Sequence, residues 1–258
     1  MVLEMTPTLA AAKAGDPIIV AQLCEAGAEV NRADLKGTTP LHAAVECGNQ
    51  EMTRTLLMHG ASADAADARG RTPLHIAAHN GDDETVRLLL DGGWVSSISP
   101  RDQNGATPLW LAAWLGHGDI VDTFLEQDVK SGLIPIFSGM SPFSAACLRG
   151  HFAIMNELVE TCEPDLDGVD NFGRTGFYQA AAHGHEHIVR YLLRKNVNYK
   201  LDWSGTTPLA AAGKINNQVI KEMIARKVAA KAKIKMGGDG GGRGGQRARA
   251  RTMALLED

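Results

Sequence analysis

The chain has 258 residues, 44% of them hydrophobic and only 5% aromatic, with 26 Lys/Arg against 30 Asp/Glu and a formal net charge of −4. That composition suits a folded protein whose core is built from Ala and Leu, and no apolar run approaches the roughly 18–20 residues that a membrane span needs. The cysteines (Cys24, Cys47, Cys147 and Cys162) show no Cys-x-x-Cys spacing, and Met1-Val2-Leu3-Glu4-Met5 lacks the basic start of a secretory signal. A reducing compartment is therefore expected, the cytoplasm first and the nucleus second.

In chain order, residues 6–31 read as two short helices. Leu9 to Ala14 is stopped by Gly15, and a second helix with Ile18, Ile19, Val20 and Leu23 is stopped by Gly27. Thr39-Pro40-Leu41-His42 and Thr72-Pro73-Leu74-His75 each open a helix, with proline where a missing N–H costs nothing. Gly48 and Gly81 end those helices cheaply in the left-handed region. Val86, Leu89 and Leu90 then recur at helical spacing on a partner helix. Thr107-Pro108-Leu109 repeats the opening but has Trp110 in place of histidine, and its second helix leads into a longer connection over residues 128–139. Ser141-Pro142-Phe143 opens a fifth unit. In the sixth, Gly176 replaces proline, which predicts a less rigid turn. The seventh begins at Thr207-Pro208-Leu209 and carries Ile220 and Ile224.

Thr6, Thr39, Thr72, Thr107, Ser141, Thr175 and Thr207 thus recur at intervals of 33, 33, 35, 34, 34 and 32 residues, and an alanine lies five positions past each without exception. Nine past each lies glycine, save Asn216 in the last copy. With its Thr-Pro-Leu-His-x-Ala motif, the chain resembles the ankyrin-repeat family. The resemblance implies an all-α solenoid of about seven stacked helix-turn-helix repeats with short β-hairpin-like loops. The repeats would start near 6, 39, 72, 107, 141, 175 and 207 in a domain over 1–227. Residues 228–258 would be a basic Gly/Arg-rich disordered tail, since 237–245 cannot pack. The function implied is non-enzymatic: an adaptor or scaffold, monomeric, binding a partner protein through a concave face.

Residues that invite a chemical reading mostly have structural ones. His183, His185 and His187 are a tempting zinc cluster, but His185 shares its register with His117 and His151, directly after the inter-helix glycine. In the family such a ring braces the turn, and the signature rings of His42 and His75 tie one turn to its neighbour. Asp34, Asp67, Asp102, Asp170 and Asp202 each precede a glycine by three residues, as turn starts do. Ile136 replaces that aspartate in repeat five, which predicts a distorted hairpin. With no nucleophile elbow, phosphate loop or spaced Cys/His set, no catalytic residue, cofactor, metal or small-molecule substrate is assigned.

The positions that the resemblance leaves free are the hairpin tips and the outer ends of the first helices. Their aromatic and arginine content concentrates in the second half: Trp114, Leu115, Phe137, Met140, Leu148, Arg149, Phe172, Arg174, His183 and Trp203. Such side chains dominate interface hot spots, so these residues are the expected partner-binding set. Replacing Trp114 or Trp203 by alanine is expected to weaken binding and leave melting nearly unchanged.

Charge is also uneven. Residues 221–258 hold 10 Lys/Arg against 4 Asp/Glu, which leaves 16 against 26 before them. Arg243, Arg247, Arg249 and Arg251 in the tail could neutralise phosphates, but no aromatic residue accompanies them, and a solubilising linker is the preferred reading over RNA contact. A targeting module of a larger signalling or enzyme assembly is the remaining alternative.

Overall fold

The computed structural model describes residues 5–199 and 206–237, with side chains as far as residue 231. Its helices come in consecutive packed pairs: α1 (Pro7–Ala14) with α2 (Pro17–Glu25), α3 (Pro40–Glu46) with α4 (Gln50–Met58), and α5 (Pro73–Asn80) with α6 (Asp83–Asp91). Then follow α7 (Pro108–Leu115) with α8 (Gly118–Gln127), α9 (Pro142–Arg149) with α10 (Phe152–Cys162), α11 (Gly176–Ala182) with α12 (Glu186–Arg194), and α13 (Pro208–Lys214) with α14 (Gln218–Gly237). Odd-numbered helices pack on odd-numbered ones and even on even, which gives an inner and an outer layer.

The inner layer is thin because of the recurring alanine. Ala44, Ala77, Ala112, Ala146, Ala180 and Ala212 are all fully buried, and a larger side chain there would hold neighbouring helices apart. Leu56, Val86, Leu89, Val121, Phe124, Leu158, Val189, Leu192 and Ile220 of the outer layer fill the space between the layers. Each inner helix except α11 begins with Thr or Ser as N-cap and proline in the first turn. In α11 the cap is Thr175, and a Cβ on Gly176 would lie 2.7 Å from Cε1 of Phe143. The proline is missing because the ring of Phe143 occupies its place, and the helix starts at the expected residue regardless.

The inter-helix glycines have two reasons to be glycine. Gly81, Gly116 and Gly150 sit at φ +76°, +92° and +81°, and a Cβ on each would fall 2.8, 2.7 and 2.6 Å from an imidazole of the next repeat. In the last copy Asn216 takes the left-handed conformation at φ 55°, which asparagine tolerates better than other side chains.

Hairpins link the pairs. An Oδ1 of Asp34, Asp67, Asp102 and Asp170 accepts the backbone N–H groups two and four residues on, at 2.8–2.9 Å. Burial works to raise the Asp34 carboxyl, but Lys13 and the N–H groups of Thr38 and Lys36 outweigh it and bring it down to about 2. The tips are joined in turn by backbone bonds, Ala68 N–H to Lys36 O at 2.7 Å, Gln103 N–H to Arg69 O at 2.9 Å, Phe137 N–H to Asn104 O at 3.0 Å and Asn171 N–H to Ser138 O at 2.8 Å.

Two expectations need correction. The repeat-five hairpin is not distorted: Ile136 N–H still donates to Met140 O at 3.1 Å, and Arg101 reaches across from repeat four to Pro135 O at 2.9 Å. The longer connection after α8 is present as expected and carries structure of its own. A 3-10 helix, Val129–Leu133, packs there against α8 and α10, with Gly132 so close to Cys162 that a Cβ would lie 2.5 Å from its sulfur. Finally, α14 runs past the domain boundary drawn at residue 227, as the alternation of Lys with Ala and Val allows.

Candidate functional site

Histidine and its substitutes stitch the repeats together. Nδ1 of His42 accepts from Thr39 N–H at 3.2 Å while its Nε2 lies 3.0 Å from Arg71 O; His75 repeats this with Thr72 N–H at 3.1 Å and Ala106 O at 3.0 Å. A carbonyl only accepts and a backbone N–H only donates, so each ring is the neutral tautomer with its proton on Nε2. Burial holds both imidazoles below their ordinary pKa. In repeat four the indole of Trp110 takes over, Nε1 donating to Met140 O at 3.0 Å. A second set of rings reaches the other way: Nε2 of His117, His151 and His185 donates to His79 O, Trp114 O and Leu148 O at 3.2, 3.2 and 2.8 Å.

Backbone bonds account for His42, His75, His183 and His185 of the histidines that resembled a metal or catalytic set. His183 and His185 lie with ring centroids 6.3 Å apart, yet each bonds a different backbone carbonyl, Gln179 O at 2.9 Å and Leu148 O at 2.8 Å. Among the described residues, no group of three or more His, Cys, Asp or Glu side chains is arranged to hold a metal ion. Cys147, fully buried in α9, has its thiol pushed up by desolvation and stays protonated.

On the hairpin side of the inner layer lies a second apolar cluster, separate from the main core. Ala106, Trp110, Met140 and Ala145 are buried in it, and Leu111, Trp114, Ile136 and Leu148 cover them. Trp110 and Trp114, one helical turn apart on α7, stack with centroids 5.3 Å apart at 14°. The guanidinium of Arg149 lies over Trp114 at 5.2 Å from the ring centre. Phe137, next to Ile136 of this cluster, is 63% exposed on its hairpin tip, and Phe172 on the following tip is 60% exposed. Arg101 lies 5.8 Å over Phe137 and Arg174 lies 4.6 Å over Phe172.

The sequence-derived set therefore divides. Trp114, Leu148 and Arg149 come together, Leu115 is half-buried at the end of the same helix, and Phe137, Phe172 and His183 are exposed. Met140 is a correction: at 7% exposure it lies beneath the surface, because Trp110 sits on it. Arg174 is another, since its guanidinium is held 2.8 Å from the buried carboxylate of Asp170 and serves its own hairpin first. Trp203 and the tail arginines Arg243, Arg247, Arg249 and Arg251 lie outside the described residues. Sequence reading missed Trp110, Leu111 and Arg101, although tryptophans at i and i+4 on one short helix were a usable sign.

Comparison with known proteins agrees with this architecture. Models of ankyrin repeats match residues 61–132 and 142–235, and a further one matches residues 22–77. The chain belongs to the ankyrin-repeat family. A solved structure, the ankyrin repeat domain of Bcl-3, described as a unique member of the IkappaB protein family, superposes with a TM-score of 0.71 at 25% identity over 86% of this chain and 98% of that one. Over 110 residues the chain is 30% identical to the ankyrin repeat and SAM domain-containing protein 6 of Mus musculus, which covers 42% of this chain. It spans only 12% of that relative's length. Ankyrin repeats are a protein–protein interaction module, and that is the class of function the family gives this chain.

Proposed function

We propose that this ankyrin domain is a non-enzymatic adaptor that holds a partner protein on the face made by its hairpin tips and inner helices, centred on repeats four to six. The observation that carries the reading is the Trp110–Trp114 stack with Arg149 over it, together with the exposed Phe137 and Phe172 on the hairpin tips of repeats five and six. Scattered exposed apolar residues occur elsewhere, Ile18 and Met58 among them, and need no partner. A clustered aromatic and arginine surface is different, because such side chains supply most of the energy of protein interfaces.

Cross-linking in cell extract tests it. Intact protein, a Trp114→Ala/Phe172→Ala variant and a Phe152→Ala control on the outer layer are compared. The expected result is a partner retained by the intact protein and the control and lost by the double variant. Equal retention by all three would place binding elsewhere on the molecule.

A further inference from the structure

The distribution of charge says what kind of partner this face fits. Helices α4, α6, α8 and α10 of the outer layer carry nine carboxylates against two guanidinium groups. The inner helices of the same repeats carry one carboxylate, Glu46, and one guanidinium, Arg149. The hairpins look acidic in sequence, yet Asp34, Asp67, Asp102 and Asp170 turn inward onto their own backbone N–H groups. What the tips show to solvent instead is Lys36 and Arg69, both exposed and without an ion-pair partner among the described residues. Beyond the tryptophans, Arg149 and Lys214 are exposed too. An acidic molecule thus has one face on which cations bracket an apolar platform.

We infer, resting on the assignment of this face as the binding surface, that its occupant is an extended acidic segment of a partner protein, one apolar side chain of which seats against Trp114 and Leu148. Neighbouring helices pack about 8–10 Å apart, so the three steps from the Lys36 repeat to the Arg149 repeat span roughly 25–30 Å. An extended chain covers that in about 8–9 residues at roughly 3.3 Å each. Carboxylates at one end then meet Lys36 and Arg69, while at the other end the apolar residue meets the platform beside a carboxylate that meets Arg149. A single nucleic-acid strand suits the cations but not the rings. Trp110 at 5.3 Å and Arg149 at 5.2 Å cover the faces of Trp114 and leave its edge, against which an apolar side chain can pack but on which a base cannot stack.

The test pans a phage-displayed library of random twelve-residue peptides on the full chain and measures the selected peptides by fluorescence anisotropy at low and high salt. Expected are sequences rich in Asp and Glu around one Leu, Phe or Trp. Their affinity should fall at least tenfold in Arg69→Glu/Arg149→Glu, whose exposed sites leave folding intact by circular dichroism, and fall in Trp114→Ala at either salt. Neutral or basic winners that still depend on Trp114 would overturn the acidic assignment and keep the face. Winners indifferent to both variants would overturn face and assignment together. A library with no winners, or a twelve-nucleotide oligothymidine that displaces the peptides at lower concentration than they bind, would also overturn the acidic peptide.

Discussion

Trp110 is where the repeat pattern and the binding face meet, and replacing it separates two kinds of stabilisation. Its indole is 8% exposed, donates to Met140 O at 3.0 Å and stacks on Trp114. Trp110→Phe keeps an aromatic ring in the slot but removes the indole donor, leaving Met140 O with Ile136 N–H as its partner. A lost neutral hydrogen bond is a net effect of about 0.5–1.5 kcal/mol, and Met140 O keeps its bond from Ile136 N–H, so the expected loss is about 1 kcal/mol. Trp110→Ala removes the ring as well and should cost about 3–5 kcal/mol. Because repeat arrays can lose two-state behaviour, urea unfolding by circular dichroism needs amide exchange beside it, read at the junction of repeats four and five. A phenylalanine variant as stable as the parent would show that the N–H bond is idle. One as damaged as the alanine variant would show that the ring's packing is.

The neutral imidazoles make stability sensitive to mild acid. Folded-state pKa values of His42 and His75 lie below the ordinary 6.5, so their contribution is complete above about pH 6.5 and is lost as pH falls through the lower folded values. Melting temperature should drop as pH falls below about 6.5, and imidazole proton shifts in the folded protein that titrate near 6.5 would contradict this. Gln179, 2% exposed on α11, has an amide nitrogen with no hydrogen-bond partner, at a register position held elsewhere by Ala43, Ile76, Leu111 and Ala145. Gln179→Met should therefore raise stability by about 1 kcal/mol in thermal unfolding, and a loss would mean that the amide is satisfied in solution.

Much of the fold was legible because stacking makes the same demand at every step. A slim residue must sit five positions past the N-cap, and a left-handed residue nine past it, so the register is printed in Ala and Gly. The histidine after each glycine was readable for the same reason, and its brace to the preceding repeat is found in all three copies. What escaped depends on pairs that no single position reveals. Gly176 looked like a weakened turn until Phe143 was found where a proline ring would lie. Ile136 looked like a broken hairpin because the bonds that hold it are not made by its own side chain: backbone bonds close the turn and tie it to the Asn104 tip, and Arg101, 35 residues away, donates to the carbonyl before it. Met140 looked like surface because the same slot holds arginine in two other repeats, Arg71 and Arg174, whereas here it packs in one cluster with Trp110.

The same substitution explains why the aromatic face sits where it does. Where histidine fills the signature slot, a small ring reaches the next hairpin and leaves the inner helix flat. An indole in that slot makes the same bond and projects further, so Trp114 one turn on can stack against it and Leu111, Ile136 and Leu148 can close around both. The platform is thus an outgrowth of an inter-repeat stitch, not a decoration on an independent frame. It follows that Trp114→Ala is not neutral for folding, as the sequence alone led one to expect. It removes a stacked pair that contributes about 0.5–1.5 kcal/mol beyond buried area. Phe172, at 60% exposure on a hairpin tip, lacks that coupling to the cluster. Its removal should change binding with little effect on melting, which makes it the cleaner probe of the face.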